Sequence, residues 1–132
     1  MPDKFTLKIE LEAPPRRVYE AWMSSREHGA FTGDTAEIDP RAGRNYSAFS
    51  GYISGQTLEL EPYRRIVQMW RTTEFPDESP DSRLELLFDA IKGGTRLTLR
   101  HSEIPDGQGH QYEDGWKEHY FQPMAAYFKA HA

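Results

Sequence analysis

The hydrophobic pattern changes period along the chain, and its last stretch is the most organised. From His110 to Ala132, Trp116, Tyr120, Met124 and Tyr127 recur at steps of four, four and three, the period of one helix face. Phe121 and Phe128 widen that face, and Ala125 sits between them. A helix with so aromatic a stripe requires a large apolar partner surface. Near the start, Phe5, Leu7, Ile9 and Leu11 alternate with Thr6, Lys8, Glu10 and Glu12. That period of two predicts a strand with one solvated face. Ala13-Pro14-Pro15 stops it, and a proline suits a first helical turn. Val18, Ala21 and Trp22 then share one face of a short helix predicted over residues 15–23. Ser24 or Ser25 caps a second short helix, which carries Glu27 in its first turns and is expected to end near Gly29.

From Thr32 onward glycines and prolines punctuate a series of short apolar runs, the pattern of an antiparallel meander. It predicts strands over residues 36–39, 44–49, 52–61, 65–73, 82–91 and 95–103. Lys92-Gly93-Gly94 reads as a hairpin turn and Glu61-Pro62-Tyr63-Arg64 as another. Residues 75–81, acidic and holding two prolines, read as a mobile loop. Within the longer strands, parity turns Ile66, Gln68 and Trp70 inward, with Leu84, Leu86 and Phe88, and with Leu97, Leu99 and His101. The predicted architecture is α+β: a curved antiparallel sheet of about six or seven strands, two short helices, and a long C-terminal helix against the concave face.

Length fits one domain over residues 1–132. Aromatic residues make up 13% of the chain, enough to fill a large core or to line a pocket. A net charge of −5 argues against a nucleic-acid partner, which needs a basic stripe. The absence of cysteine excludes a disulfide framework, a thiolate nucleophile and cysteine-based metal sites. The N-terminus lacks the basic and apolar regions of a signal peptide, and no run approaches the roughly 18 apolar residues of a membrane span. A cytoplasmic location is the expectation.

The chemistry on offer is sparse. Trp22, Phe31, Phe49, Trp70, Phe88, Trp116 and Tyr120 form the inward aromatic set, with Leu86 among them. They could simply fill a tapered core, or they could line a cavity with Gln68 and His101 as its polar members. Gly115 fits either close helix approach or room beside Trp116, and Pro123 should cost one helical hydrogen bond and bend the helix. His101 is either a buried, hydrogen-bonded histidine or an anchor and acid–base group, the one weak catalytic candidate. The five histidines are scattered, no HExxH occurs, and the acids near His110 suit a helix start, so no metal and no cofactor are expected. No G-x-S-x-G elbow accompanies the serines. An outward row of Arg71, Arg96 and Arg100 offers a hook for an acidic partner or for a homodimer mate.

Three stretches together carry a family resemblance: APPRRVYEAWMSSREHGAFTG, FSGYISGQTLELEPYRRIVQMWR, and LRHSEIPDG followed by GWKEHYFQPMAAYF. They span nearly the whole chain and resemble the activator of Hsp90 ATPase domain in its bacterial single-domain form, within the START/Bet v 1-like superfamily. The resemblance implies a helix-grip fold. Taken with the inward aromatic set and the inward Gln68 and His101 read from strand parity, it leads to three functional expectations, of which the second rests on the resemblance alone. The first is binding of a hydrophobic small molecule or lipid between sheet and helix, without catalysis, at Trp22, Phe31, Phe49, Gln68, Trp70, Leu86, Phe88, His101, Trp116 and Tyr120. The second is a stress-related interaction with an Hsp90-type chaperone, a role that eukaryotic members carry out with an additional N-terminal domain. The third is a cyclase- or hydrolase-like activity using His101.

Overall fold

A computed structural model describes residues 2–132. The chain begins with β1 (Asp3–Leu11), followed by α1 (Pro15–Trp22) and α2 (Ser25–Thr32). Six further strands follow: β2 (Glu37–Ile38), β3 (Asn45–Ala48), β4 (Ile53–Glu61), β5 (Arg65–Thr72), β6 (Ser82–Ile91) and β7 (Gly94–Ile104). A terminal helix closes the fold in three parts: α3 (Gly109–Gly115), a π-helical turn (Trp116–Phe121) and α4 (Gln122–Ala130). The strands form one antiparallel sheet in the order β1-β7-β6-β5-β4-β3-β2. The predicted α+β helix-grip architecture is what the molecule has. Among the described residues no helix is long and apolar enough to cross a membrane.

Strand register explains the core. Phe5 pairs His101, Leu7 pairs Leu99 and Ile9 pairs Leu97. Across the next seam Leu84 faces His101, Leu86 faces Leu99 and Phe88 faces Leu97, and Ile66 and Gln68 continue those rows on β5. Because side chains alternate, each row presents its apolar members on the same concave face. Ile66, Leu84, Leu86, Leu97 and Leu99 are at most 1% exposed, so each contributes about 1.5–3 kcal/mol of burial.

The structure corrects four local expectations. The second helix runs on to Thr32, where Gly33 at φ 74° forms its left-handed cap. Gly29 is inside it, and a Cβ there would stand 2.8 Å from the Asp34 carbonyl oxygen, so close approach and not a helix stop requires the glycine. The expected defect at Pro123 takes the form of a π-helical turn that ends just before it. Pro123 then falls in the first turn of α4, where its missing N–H costs little.

The loop 75–81 is anchored. Phe75 is buried beneath the Arg71 guanidinium. Arg71 donates to the carbonyl oxygens of Ser79 and Pro76 and to the Asp81 carboxylate, at 2.9–3.1 Å. The outward arginine row is also committed within the chain: Arg96 pairs Glu10 and Arg100 pairs Glu85, which Arg65 holds as well. The exposed Arg96–Glu10 pair is worth little, whereas Glu85 is buried between Arg65 and Arg100.

Candidate functional site

The helix does not fill the whole concavity. A cavity of about 360 Å³ lies between the end of β5, the start of β4, the turn before it, and the first turns of the terminal helix. Its buried walls are Ile53, Trp70, Tyr112, Trp116 and Tyr120. Phe49, Tyr52 and Gly115 are half-buried at its side, and the exposed Gln111, Asp114, Glu118 and His119 form its mouth. A cavity of this size is at the small end of the range used for drug-sized ligands.

Local backbone geometry places the side wall. Phe49, Ser50 and Gly51 take three successive positive φ values of 52°, 56° and 92°. For the first two residues that conformation is strained. It is held by the Ser50 N–H donating to the Thr35 carbonyl at 3.0 Å and by the Ser50 hydroxyl donating to the Asp34 carboxylate. The result is a Phe49 ring standing edge-on to Tyr120, 5.5 Å between centroids. On the helix, Gly115 leaves open space where a Cβ would be, so its role is room beside Trp116 and not close packing.

The polar groups behind the walls are satisfied one by one. Ser82 donates its hydroxyl proton to the Trp70 carbonyl at 2.6 Å. The 2.8 Å contact between Ser82 Oγ and His101 Nε2 therefore has the histidine as donor. His101 Nδ1 then accepts from Trp116 Nε1–H at 3.0 Å. Both ring nitrogens are used, in one tautomer, and burial pushes the pKa down to about 3. His28 mirrors this arrangement. Its Nδ1–H donates to the Trp22 carbonyl at 2.9 Å, and its Nε2 accepts from the Tyr120 hydroxyl at 2.7 Å. Burial lowers its pKa to about 4 and raises that of Tyr120. Gln68 donates to Thr57 Oγ1 at 3.0 Å and accepts from Trp22 Nε1 at 3.4 Å. In the wall, Tyr112 donates to Gln108 and accepts from Thr72. Tyr52 donates to the Glu74 carboxylate, and burial with that acceptor pushes its pKa up to about 12.

One buried group stands apart. Among the described residues, the Trp70 indole N–H is the buried side-chain polar atom without a hydrogen-bond partner, in a residue only 3% exposed. An unsatisfied buried donor costs about 1–3 kcal/mol. Trp70 is held rigidly, edge-to-face with His101 at 4.6 Å and with Tyr112 at 5.0 Å.

Of the ten residues named from sequence, the structure brings Phe49, Trp70, Trp116 and Tyr120 to the cavity wall. Trp22, Phe31, Gln68, Leu86, Phe88 and His101 lie in the packed layer behind or beside it. His101 stands one side chain away, screened by Trp70 and Trp116. Sequence reasoning missed Tyr52, Ile53 and Tyr112. Tyr112 had a signal, since it precedes Trp116 by one helical turn on the same face. Tyr52 and Ile53 follow a backbone reversal that strand alternation does not reveal. His28 was missed as a core group because nothing in helix periodicity shows that Tyr120 faces it.

The fold recurs in known proteins. The chain is 27% identical over 125 residues to the human activator of 90 kDa heat shock protein ATPase homolog 1, covering 95% of this chain and 37% of that protein. A Dictyostelium discoideum activator of 90 kDa heat shock protein ATPase homolog is 27% identical over 112 residues, covering 84% and 29%. The chain thus spans about a third of the length of these curated relatives. The crystal structure of an HSP90 activator from Plasmodium falciparum superposes with a TM-score of 0.87 at 25% identity, covering 94% of each chain. A Chromobacterium violaceum protein superposes with a TM-score of 0.79 at 27% identity, over 97% of this chain and 98% of that one. The profile of the family described as activator of Hsp90 ATPase homolog 1-like protein matches residues 12–129, and with nearly its whole length matched the chain belongs to that family.

Proposed function

We propose that this domain binds a small, largely apolar molecule in the cavity between β4, β5 and the terminal helix, and does not transform it. The observation that carries this reading is a half-open aromatic cavity of about 360 Å³ between the sheet and the terminal helix. Apolar walls with a few polar groups at the opening are what a small-molecule site requires. His101, the catalytic candidate from sequence, supports binding over catalysis, because both its ring nitrogens already have partners. Trp70, Trp116, Tyr120 and Phe49 would line the bound molecule. Nuclear magnetic resonance titration with fatty acids, sterols and flavonoids tests the proposal. A shift of the Trp70 indole signal on addition of one class supports it. Immobile Trp70 and Trp116 signals across all three classes refute it.

A second reading is interaction with an Hsp90-type chaperone. It is favoured by the alignment to Hsp90 ATPase activators over nearly the whole of this chain. Its measurement is the chaperone's ATPase rate with and without the protein, and an unchanged rate at saturation eliminates it.

A further inference from the structure

The two edges of the sheet are finished differently. β2 is two residues long, and the Ser25 hydroxyl closes it, accepting from the Ile38 N–H at 2.8 Å and donating to the Ile38 carbonyl at 3.1 Å. β1 is nine residues long and ends the sheet on the other side. Among the described residues it has no such cap along residues 4–10. We infer that this edge pairs antiparallel with the same edge of a second copy of the chain, about a twofold axis at Leu7, so that the two sheets join into one.

Burial along β1 shows where a neighbour is missing. Leu97 and Leu99 on β7 are 0% exposed, whereas Ile9 and Leu7, their partners in the same inward rows, are only half-buried, as is Phe5 beside His101. A long edge with an apolar row of this kind is a template for a further strand. Exposed lysines are one device that blocks such an edge, and Lys4 and Lys8 stand on its outer face. Their spacing from the acids reverses that effect for a second copy. With the axis at Leu7, Lys4 falls opposite Glu10 of the second copy, Lys8 opposite Thr6, Phe5 opposite Ile9, and Leu7 opposite itself. The twofold axis makes each unlike contact twice, so two lysine–glutamate pairs lie on the outer face and one continuous apolar row on the inner. Moving the axis to Thr6 sets Lys4 against Lys8, and moving it to Lys8 sets that lysine against its own copy. Both alternatives oppose like charges, so charge selects the Leu7 register.

Glu10 already pairs Arg96 at 3.2 Å, but that bond is exposed and uses Oε2, and a carboxylate accepts from more than one donor. The arginine row that the sequence offered for a homodimer is committed within the chain, which moves the surface for a second copy from the face of the sheet to its edge. A joint of one strand per copy is small, so association in the micromolar range is expected, not an obligate dimer. β1 lies three strands from β5, so this pairing and the binding role proposed for the cavity can fail separately.

Analytical ultracentrifugation of the full chain, run through the micromolar range at low salt, reads the association as a doubling of mass. Amide hydrogen exchange in β1 should slow as the dimer forms, while exchange in β2 stays the same. Lys4→Glu and Glu10→Lys each reverse one charge on the exposed face, where the fold tolerates it. Either alone sets like charges opposite each other and should weaken association about tenfold, less at high salt. An equimolar mixture of the two variants should dimerise again, because each copy then carries the charges that the other lacks. The double variant Lys4→Glu, Glu10→Lys should dimerise by itself. Unchanged thermal melting of the dilute single variants shows that the loss lies in the joint and not in the fold. A mass that stays monomeric throughout the range overturns the inference. So does a dimer that ignores both single substitutions, a mixture that does not recover, or β1 amides that exchange equally fast in monomer and dimer.

Discussion

The space beneath the terminal helix has two halves built from the same residue types, and they behave oppositely. Under α4, Trp22, Phe31, His28 and Phe128 meet ring to ring, with centroid distances of 4.6–6.3 Å. The polar atoms of Trp22 and His28 all have partners there. Under α3 and the π-helical turn, Trp70, Tyr112, Trp116 and Phe49 surround open volume, and the Trp70 N–H has none. Aromatic content therefore does not distinguish a core from a pocket. What distinguishes them is the backbone: a strained turn holds Phe49 off to one side, a glycine removes a side chain beside Trp116, and a π-turn spaces the helix residues more widely.

The largest expected effect comes from breaking the filled half. Phe128 is fully buried, so Phe128→Ala should cost about 3–5 kcal/mol in chemical denaturation. A cost under about 1 kcal/mol would mean that this half is loosely packed. Acid should act on the partnered histidines next. Folded-state pKa values of about 4 for His28 and about 3 for His101 lie below the ordinary 6.5. The unfolded chain therefore binds protons first as pH falls. Stability is complete above pH about 6.5 and declines toward pH 4, with a slope approaching 1.4 kcal/mol per histidine per unit. Urea midpoints measured at neutral and mildly acid pH check this, and a midpoint that stays level between them contradicts it.

A sharper comparison sets the two indoles against each other. Trp116→Phe removes the donor that His101 Nδ1 accepts from, whereas Trp70→Phe removes a donor that bonds nothing. Trp116→Phe should be the more destabilising of the two by about 1–2 kcal/mol, and equal losses would show the Trp70 N–H to be satisfied after all. The smallest effect has the opposite sign. Gly115→Ala places a methyl in open space and should stabilise the helix by about 0.5–1 kcal/mol while narrowing the cavity. Thermal melting with and without ligand reads both changes, and a lowered melting temperature of the free protein would refute it.

The sequence alone determined the sheet, the order of its elements, the concave face and the terminal helix. Periods of two and of three to four are local properties, and Leu84, Leu86, Leu97 and Leu99 or Trp116, Tyr120 and Met124 display them without any partner in view. The same periodicity turned Gln68 and His101 inward correctly but could not say what they meet there. That His101 is bonded to Ser82 and Trp116, that His28 receives the Tyr120 proton, and that Trp70 lacks a partner depend on residues 15 to 92 positions apart converging. The cavity was illegible for the same reason. It lies where a left-handed turn at Phe49, a glycine at 115 and a π-turn before Pro123 come together, and only the folded packing brings those three distant features to one place.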